Sequence, residues 1–423
     1  MGRGFESIGV SAFAHTAVES LDTGGTASIG KAAFSDCPKL ADIDFRGDLN
    51  RLASIGAFAF APNSNLTSVD LPDSVASVGE GAFADNDRLT SVFLGASMTG
   101  SFADAFKGSD RIEKVAVSDS NPAYSVEGNV SHRMLDDGLH LIFSPSSNEF
   151  SEYAVKEGTV RIGKGAFKNN AALTSVKLPE GLKEIEAGAF SGCRALARVD
   201  FPDSLERVNG IPNSLIEVAE FGSNIVEIKR TAFSGHNPAH LIVRGGKNGS
   251  YASSSESGPD KRPLKSVYLG EGMVKADFGI YDVAPPAVLV VPSTLTELSL
   301  RSAGEFPGAS GPVIYAPKSS AGWNAAVSAL RDAGYDVSDA KVLSAHLKAY
   351  KPLEGRFAFD AAPQPSRWST MPRRMRWAPS RASGPRISAG PTCSEARRRC
   401  PKKRLAGYRR RFRPTELQRG VSG

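Results

Sequence analysis

Residues 66–94 read LTSVDLPDSVASVGEGAFADNDRLTSVFL, and this stretch decides the fold. The run L-x-x-V-x-L at Leu66, Val69 and Leu71 returns 23 residues later at Leu89, Val92 and Leu94, and Gly81-Ala82-Phe83 lies between the two copies. Outward from here the same run appears at Leu173-Val176-Leu178, Leu196-Val199-Phe201 and Leu264-Val267-Leu269. Phe of an Ala-Phe dipeptide, or a close variant, recurs at positions 13, 34, 60, 83, 106, 167, 190 and 233. The intervals 60–83, 83–106 and 167–190 are each 23 residues. The 43 residues from Phe190 to Phe233 fit two turns with a degenerate middle one, whose remnant is Phe201-Pro202, Leu205 and Val208. The alternation Val69-Asp70-Leu71 describes a short strand that buries its apolar side chains and turns the residue between them to solvent. Pro72, Pro179 and Pro202 then end the strand, because proline has no N–H to donate. Ala before Phe leaves room for a tight corner, and Phe at one position in successive turns stacks rings that each cover about 150–250 Å².

A repeat period of 20–29 residues is the mark of leucine-rich repeats. The full pattern, L-P-x-x-[LV]-x-x-[IV]-G-x-x-A-F-x-x-[CN]-x-x-L-T-x-V, resembles the BspA-like leucine-rich repeats of bacterial surface proteins, closely over residues 5 to about 250 and loosely over 264–317. The resemblance implies a leucine-rich-repeat solenoid of parallel β coils with repeats of roughly 23 residues. Residues 118–155 resemble the hairpin-bearing insert of such proteins, although Ser131, His132 and Arg133 depart from its usual apolar strand. After Val313–Pro317 a short capping helix is expected, with Ser320 as N-cap, Trp323, Val327 and Leu330 on one face and Gly334 at its end. The expected organisation is therefore a solenoid over 1–317 with its insert at 118–155, a capping helix and linker over 318–355, and a basic, unstructured tail over 356–423.

The chain is 41% apolar and 23% charged, values that suit a folded chain with a continuous core. Its formal charge of +6 conceals two opposite parts. Of the 51 basic and 45 acidic residues, 18 basic residues lie from Arg356 onward against Asp360, Glu395 and Glu416. Residues 1–355 thus hold 33 basic and 42 acidic side chains. The tail admits three readings: a sequence read out of frame, a true unstructured tail, or a nucleic-acid binder acting through its Arg and Lys blocks with Trp368 and Trp377 stacking on bases.

Chemical motifs are sparse. Cys37 and Cys193 occupy the position three residues after the ladder Phe, where other repeats carry Asn63, Asn86, Ser109, Asn170 and His236. They are therefore expected as small buried corner residues several coils apart, beyond disulfide reach. Cys393 and Cys400 do not form a recognised zinc pattern. Gly158 to Lys164 imitates a phosphate-binding loop, but Gly165 stands where a metal-binding Ser or Thr belongs, and the segment matches one repeat's V-x-I-G-x-x-A-F frame. The histidines and carboxylates form no paired ligand or acid–base spacing, so neither catalytic residues nor a metal or other cofactor is expected.

What remains is a binding scaffold. The outward strand positions form an exposed ladder, and Asp70, Phe93, Lys177, Arg198, Asp200 and Tyr268 are its candidate ligand-binding residues, with the two aromatics as anchors. The resemblance implies a protein ligand, such as a host matrix protein or another bacterial surface protein, and a place on the cell surface or outside it. A structural spacer in a larger surface protein is the alternative. No apolar run approaches the 18 to 20 or so residues that span a bilayer. Met1 leads almost at once into repeat-like sequence without a secretory leader, which points either to a fragment of an exported protein or to a cytoplasmic one.

Overall fold

A computed structural model describes residues 6–45, 51–146, 150–212, 214–235, 237–252, 264–278, 286–300 and 311–350. Cys393, Cys400, Trp368, Trp377, His236 and the basic blocks fall outside the described residues.

The chain winds into a β-solenoid in which a typical coil contributes two short strands, and each strand pairs in parallel with its counterpart in the next coil. The L-x-x-V-x-L runs form the front face: Ser68–Asp70 pairs with Ser91–Leu94, and Ser175–Lys177 with Arg198–Asp200. A second strand, on the back face, was not anticipated. In the first coils it is only two residues long, at Ser7–Ile8, Ser28–Ile29, Ser54–Ile55 and Ser77–Val78. Alternation cannot mark so short a strand, yet the glycine that follows it explains itself. A Cβ on Gly79 would lie 2.4 Å from the Ala57 nitrogen, so only glycine lets adjacent coils approach this closely.

Most corners hold a left-handed residue two positions before the ring, with φ of 53° at Ala32, 55° at Phe58 and 64° at Gly81. Glycine there is unstrained, whereas Ala32 and Phe58 hold this conformation because the coils on either side fix it. Beyond the corner the rings stack as expected. Phe13, Phe34, Phe60, Phe83 and Phe106 follow one another at centroid spacings of 5.2, 5.3, 5.2 and 5.1 Å, nearly parallel. Phe167 and Phe190 repeat the arrangement at 5.0 Å. Between Phe190 and Phe233 the ring position belongs to fully buried Ile211, whose N–H reaches the Ala232 carbonyl just as Phe167 reaches that of Ala189.

Three residues past each ring runs a buried polar ladder. Asn63 Oδ1 accepts from the Cys37 N–H at 2.8 Å, Asn86 Oδ1 from the Asn63 N–H at 2.9 Å, and Ser109 Oγ from the Asn86 N–H at 3.0 Å. The same side chains donate backwards, from Asn63 Nδ2 to the Phe34 carbonyl at 3.0 Å and from Asn86 Nδ2 to that of Phe60 at 3.1 Å. Each Asn thus satisfies one donor and one acceptor that the corner would otherwise bury. Cys37 and Cys193 take this position, are free thiols, and donate to the Phe13 and Phe167 carbonyls at 3.1 and 2.9 Å. Burial pushes the Cys193 thiol pKa up to about 12, so it is inert at neutral pH.

The back sheet breaks after Ser77–Val78. In the next coil helix α1 (Phe102–Ala105), capped by Ser101, stands where a back strand would be. Three antiparallel-paired strands follow, Tyr124–Glu127, Val130–Leu135 and Gly138–Phe143, and the last pairs in parallel with Thr159–Ile162 to start a new back sheet that continues to Glu297–Ser299. This hairpin is a partition. Tyr124 belongs to the apolar core of the first coils, against which Ile142 and Phe143 also pack, whereas Val130 and Leu141 belong to the core of the later coils. At the C-terminal end α2 (Ala321–Asp332) packs against the strands Glu297–Ser299 and Val313–Pro317. Its N-cap is Ser320, as expected, with Oγ accepting from the Trp323 N–H at 3.1 Å, and Leu330 is fully buried. A shorter helix, α3 (Ala340–His346), then leads into a last front strand, Leu347–Tyr350.

Candidate functional site: the front face

The six candidate residues all lie on front strands, each next to a buried apolar residue, but they fall on three separate sheets. Asp70 and Phe93 are register partners on adjacent strands, Asp70 exposed and Phe93 half-buried. Lys177 is the register partner of Asp200, and Arg198 faces Ser175 beside it. These three are exposed, and Arg198 grips Asp200 through Nε–Oδ1 and Nη2–Oδ2 contacts of 3.2 Å each. So exposed a pair contributes little to stability and leaves both groups available to a partner.

Tyr268 stands apart, in the six-stranded C-terminal front sheet. Its ring is half-buried between Ile242 and Val290, and its hydroxyl oxygen is inaccessible to solvent. Burial, with Tyr350 and Glu271 nearby, raises its pKa well above the usual tyrosine value. The structure therefore assembles two patches, Asp70 with Phe93 and Lys177 with Arg198 and Asp200, and leaves Tyr268 apart from both with its hydroxyl shielded.

A charged feature of the back face was not read from sequence. Along that sheet the outward register column runs Arg161, Glu184, Arg207, Glu227, Ser250, Lys275, Glu297. Charges alternate in sign, and Arg161 reaches Glu184 at 3.0 Å, Glu186 at 2.9 Å and Asp137 at 3.3 Å, while Lys275 reaches Glu297 at 2.7 Å. The column is visible only after coils of unequal length are aligned. Each charge of the column has one of opposite sign on a neighbouring strand, so the column is neutralised within itself.

Among the described residues no group of three or more His, Cys, Asp or Glu could hold a metal ion. The Gly158–Lys164 segment is the back strand Thr159–Ile162 with Gly163 donating to the Leu141 carbonyl, which is a repeat feature and not a phosphate loop. An open groove of about 530 Å³ between corners is lined by Ser64, Asp87, Arg88, Gly108, Asp110 and Arg111, with mixed charge. No helix among the described residues is long and apolar enough to cross a membrane.

Coils of parallel strands around a phenylalanine stack define a leucine-rich-repeat solenoid. The BspA type leucine-rich repeat region family matches residues 6–125 and 142–245 in six copies, more than half of the chain, and the protein belongs to that family. The gap between the two matched stretches coincides with the partition hairpin. Among solved structures, a leucine-rich cell-surface protein from Faecalibacterium prausnitzii A2-165 is similar at 19% identity over 75% of this chain and 85% of that one, with a TM-score of 0.42. The pneumococcal vaccine antigen PcpA is similar at 19% identity over 81% and 69%, TM-score 0.42. A leucine-rich repeat protein from Eubacterium ventriosum ATCC 27560 is similar at 16% identity over 71% and 81%, TM-score 0.40. Comparison with curated proteins gives no match.

Proposed function

We propose that this protein is a non-enzymatic protein-binding module, displayed on or released from a bacterial surface, which holds its ligand on the front face. The observation that carries this reading is the front array itself. Asp70, Phe93, Lys177, Arg198 and Asp200 are held outward in register by strands whose inward neighbours, among them Val69, Val92 and Val176, are buried in the core. A partner meeting this face finds polar and aromatic groups already fixed, so little conformational entropy is lost on binding. The ligand class that suits it is a folded protein, such as a matrix protein or another bacterial surface protein, because the two patches are spread along the solenoid and not gathered in a cleft. Screening the full chain against immobilised matrix proteins and bacterial surface proteins tests this. Binding that Phe93→Ala weakens by about tenfold or more, with the fold intact, supports the reading. A chain that retains none of these proteins acts as a spacer instead.

A further inference from the structure

We propose that His132 makes the joint between the two stacks acid-sensitive: protonation of its ring loosens the hairpin 124–143 that partitions the two cores, while the coils on either side stay wound. His132 lies on the middle hairpin strand opposite Leu141, and both are fully excluded from solvent. A register shift between Ser131 and His132 allows both of these neighbours to be buried at once. Neither ring nitrogen makes a well-formed hydrogen bond, and neither does Ser131 Oγ. The corner ladder pairs Cys37, Asn63, Asn86 and Ser109, although Ser214 Oγ, three residues past Ile211, is buried without a partner; the hairpin strand keeps a buried imidazole without a well-formed hydrogen bond where the core changes hands.

The charges around it offer poor compensation. From the segment after Glu152–Ala154 comes Lys156, and from the first hairpin strand Glu127; they are paired with each other at 2.8 Å and exposed. Arg133, the next residue on the same strand, lies 5.5 Å from the Tyr124 ring centre, and His140 on the last hairpin strand is engaged by Asp137 at 2.7 Å. The following back strand, Thr159–Ile162, brings Arg161, whose guanidinium is committed to Asp137, Glu184 and Glu186. A neutral imidazole suits such a site, whereas an imidazolium would be a buried charge without a partner. In keeping with this, burial and Lys156 depress the His132 pKa, and Glu127 and the Val130 backbone offset them only in part. The folded joint therefore takes up a proton less readily than an unfolded histidine. Its stability is intact above the unfolded value of about 6.5 and declines as pH falls through the interval between that value and the lower folded one.

Hydrogen–deuterium exchange on the full chain, corrected for intrinsic rates, tests this at about pH 7.5 and about pH 5. Peptides covering 124–143 of the wild type should lose about tenfold more protection at the lower pH than peptides covering 66–94, and His132→Leu should abolish that excess. Equal loss in both regions of the wild type, or an unchanged excess in His132→Leu, would overturn the proposal. Should His132→Leu fail to fold, NMR titration of the wild-type imidazole decides: a midpoint below that of a free histidine, accompanied by loss of hairpin signals, upholds it, and a midpoint at or above that value overturns it.

Discussion

Before the hairpin, five rings from Phe13 to Phe106 form an unbroken column, and the back strands are two residues long. After it the column holds Phe167 and Phe190 and then gives way to Ile211, while back strands, still two residues long at Glu184–Ile185 and Arg207–Val208, lengthen to seven at Gly246–Ala252. The outward columns change as well. On the back face serines at 7, 28, 54 and 77 are replaced by the alternating Arg161–Glu297 column. On the front face exposed Asp22, Asp44 and Asp70 contrast with Ile242, Tyr268, Val290 and Tyr315. One coil frame therefore tolerates two ways of holding neighbours together. The first relies on a continuous column of stacked rings and an amide ladder, whereas the second shortens both and adds longer back-strand pairing towards its C-terminal end.

The sharpest way to break this comparison is to remove a ring from each part. Phe83 is stacked on both sides and fully buried, so Phe83→Ala should cost about 3–5 kcal/mol in equilibrium denaturation. Phe190 has a ring on one side only, and Phe190→Ala should fall at the lower end of that range. Equal midpoints for Phe83→Ala and wild type would mean that the rings do not hold the first stack. Next in size, Asn86→Ala should cost about 1–3 kcal/mol, because it strands the Asn63 N–H and the Phe60 carbonyl inside a dry corner. A cost near zero would show that water replaces the amide there. Smaller still, Lys275→Gln should barely move the denaturation midpoint, since its pair with Glu297 is exposed, and the shift should shrink further in high salt. Smallest of all, we expect deletion of residues 357–423 to leave the thermal midpoint unchanged while abolishing any salt-sensitive retention on DNA.

The front strands, the ring column, the corner position of Cys37 and Cys193 and the Ser320 cap were legible in the sequence because each follows from a local rule or a strict period. Other features require coils to be superposed. The Ser-Ile pairs are too short for alternation to mark, and Ile211 hides because its coil is shorter than its neighbours. The pairing of Arg161 with Glu184, and of Glu184 with Arg207, exists only across strands. For the candidate site, the sequence placed all six residues on the front strands, but it treated them as one ladder. That they separate into three sheets, and that the Tyr268 hydroxyl is shielded, depends on how the front strands break and on what packs beside Val290, which no local pattern records.

The proposed division of labour between faces is tested most directly by reversing charge on each face and titrating the variants against whichever matrix or surface protein the full chain retains. Lys177→Glu combined with Arg198→Glu should weaken binding by about thirtyfold, equivalent to about 2 kcal/mol, with an unchanged thermal midpoint. Exchanging the back-face pair, Lys275→Glu with Glu297→Lys, should leave affinity within about threefold. Full affinity in the front-face variant together with loss in the back-face exchange would contradict the account.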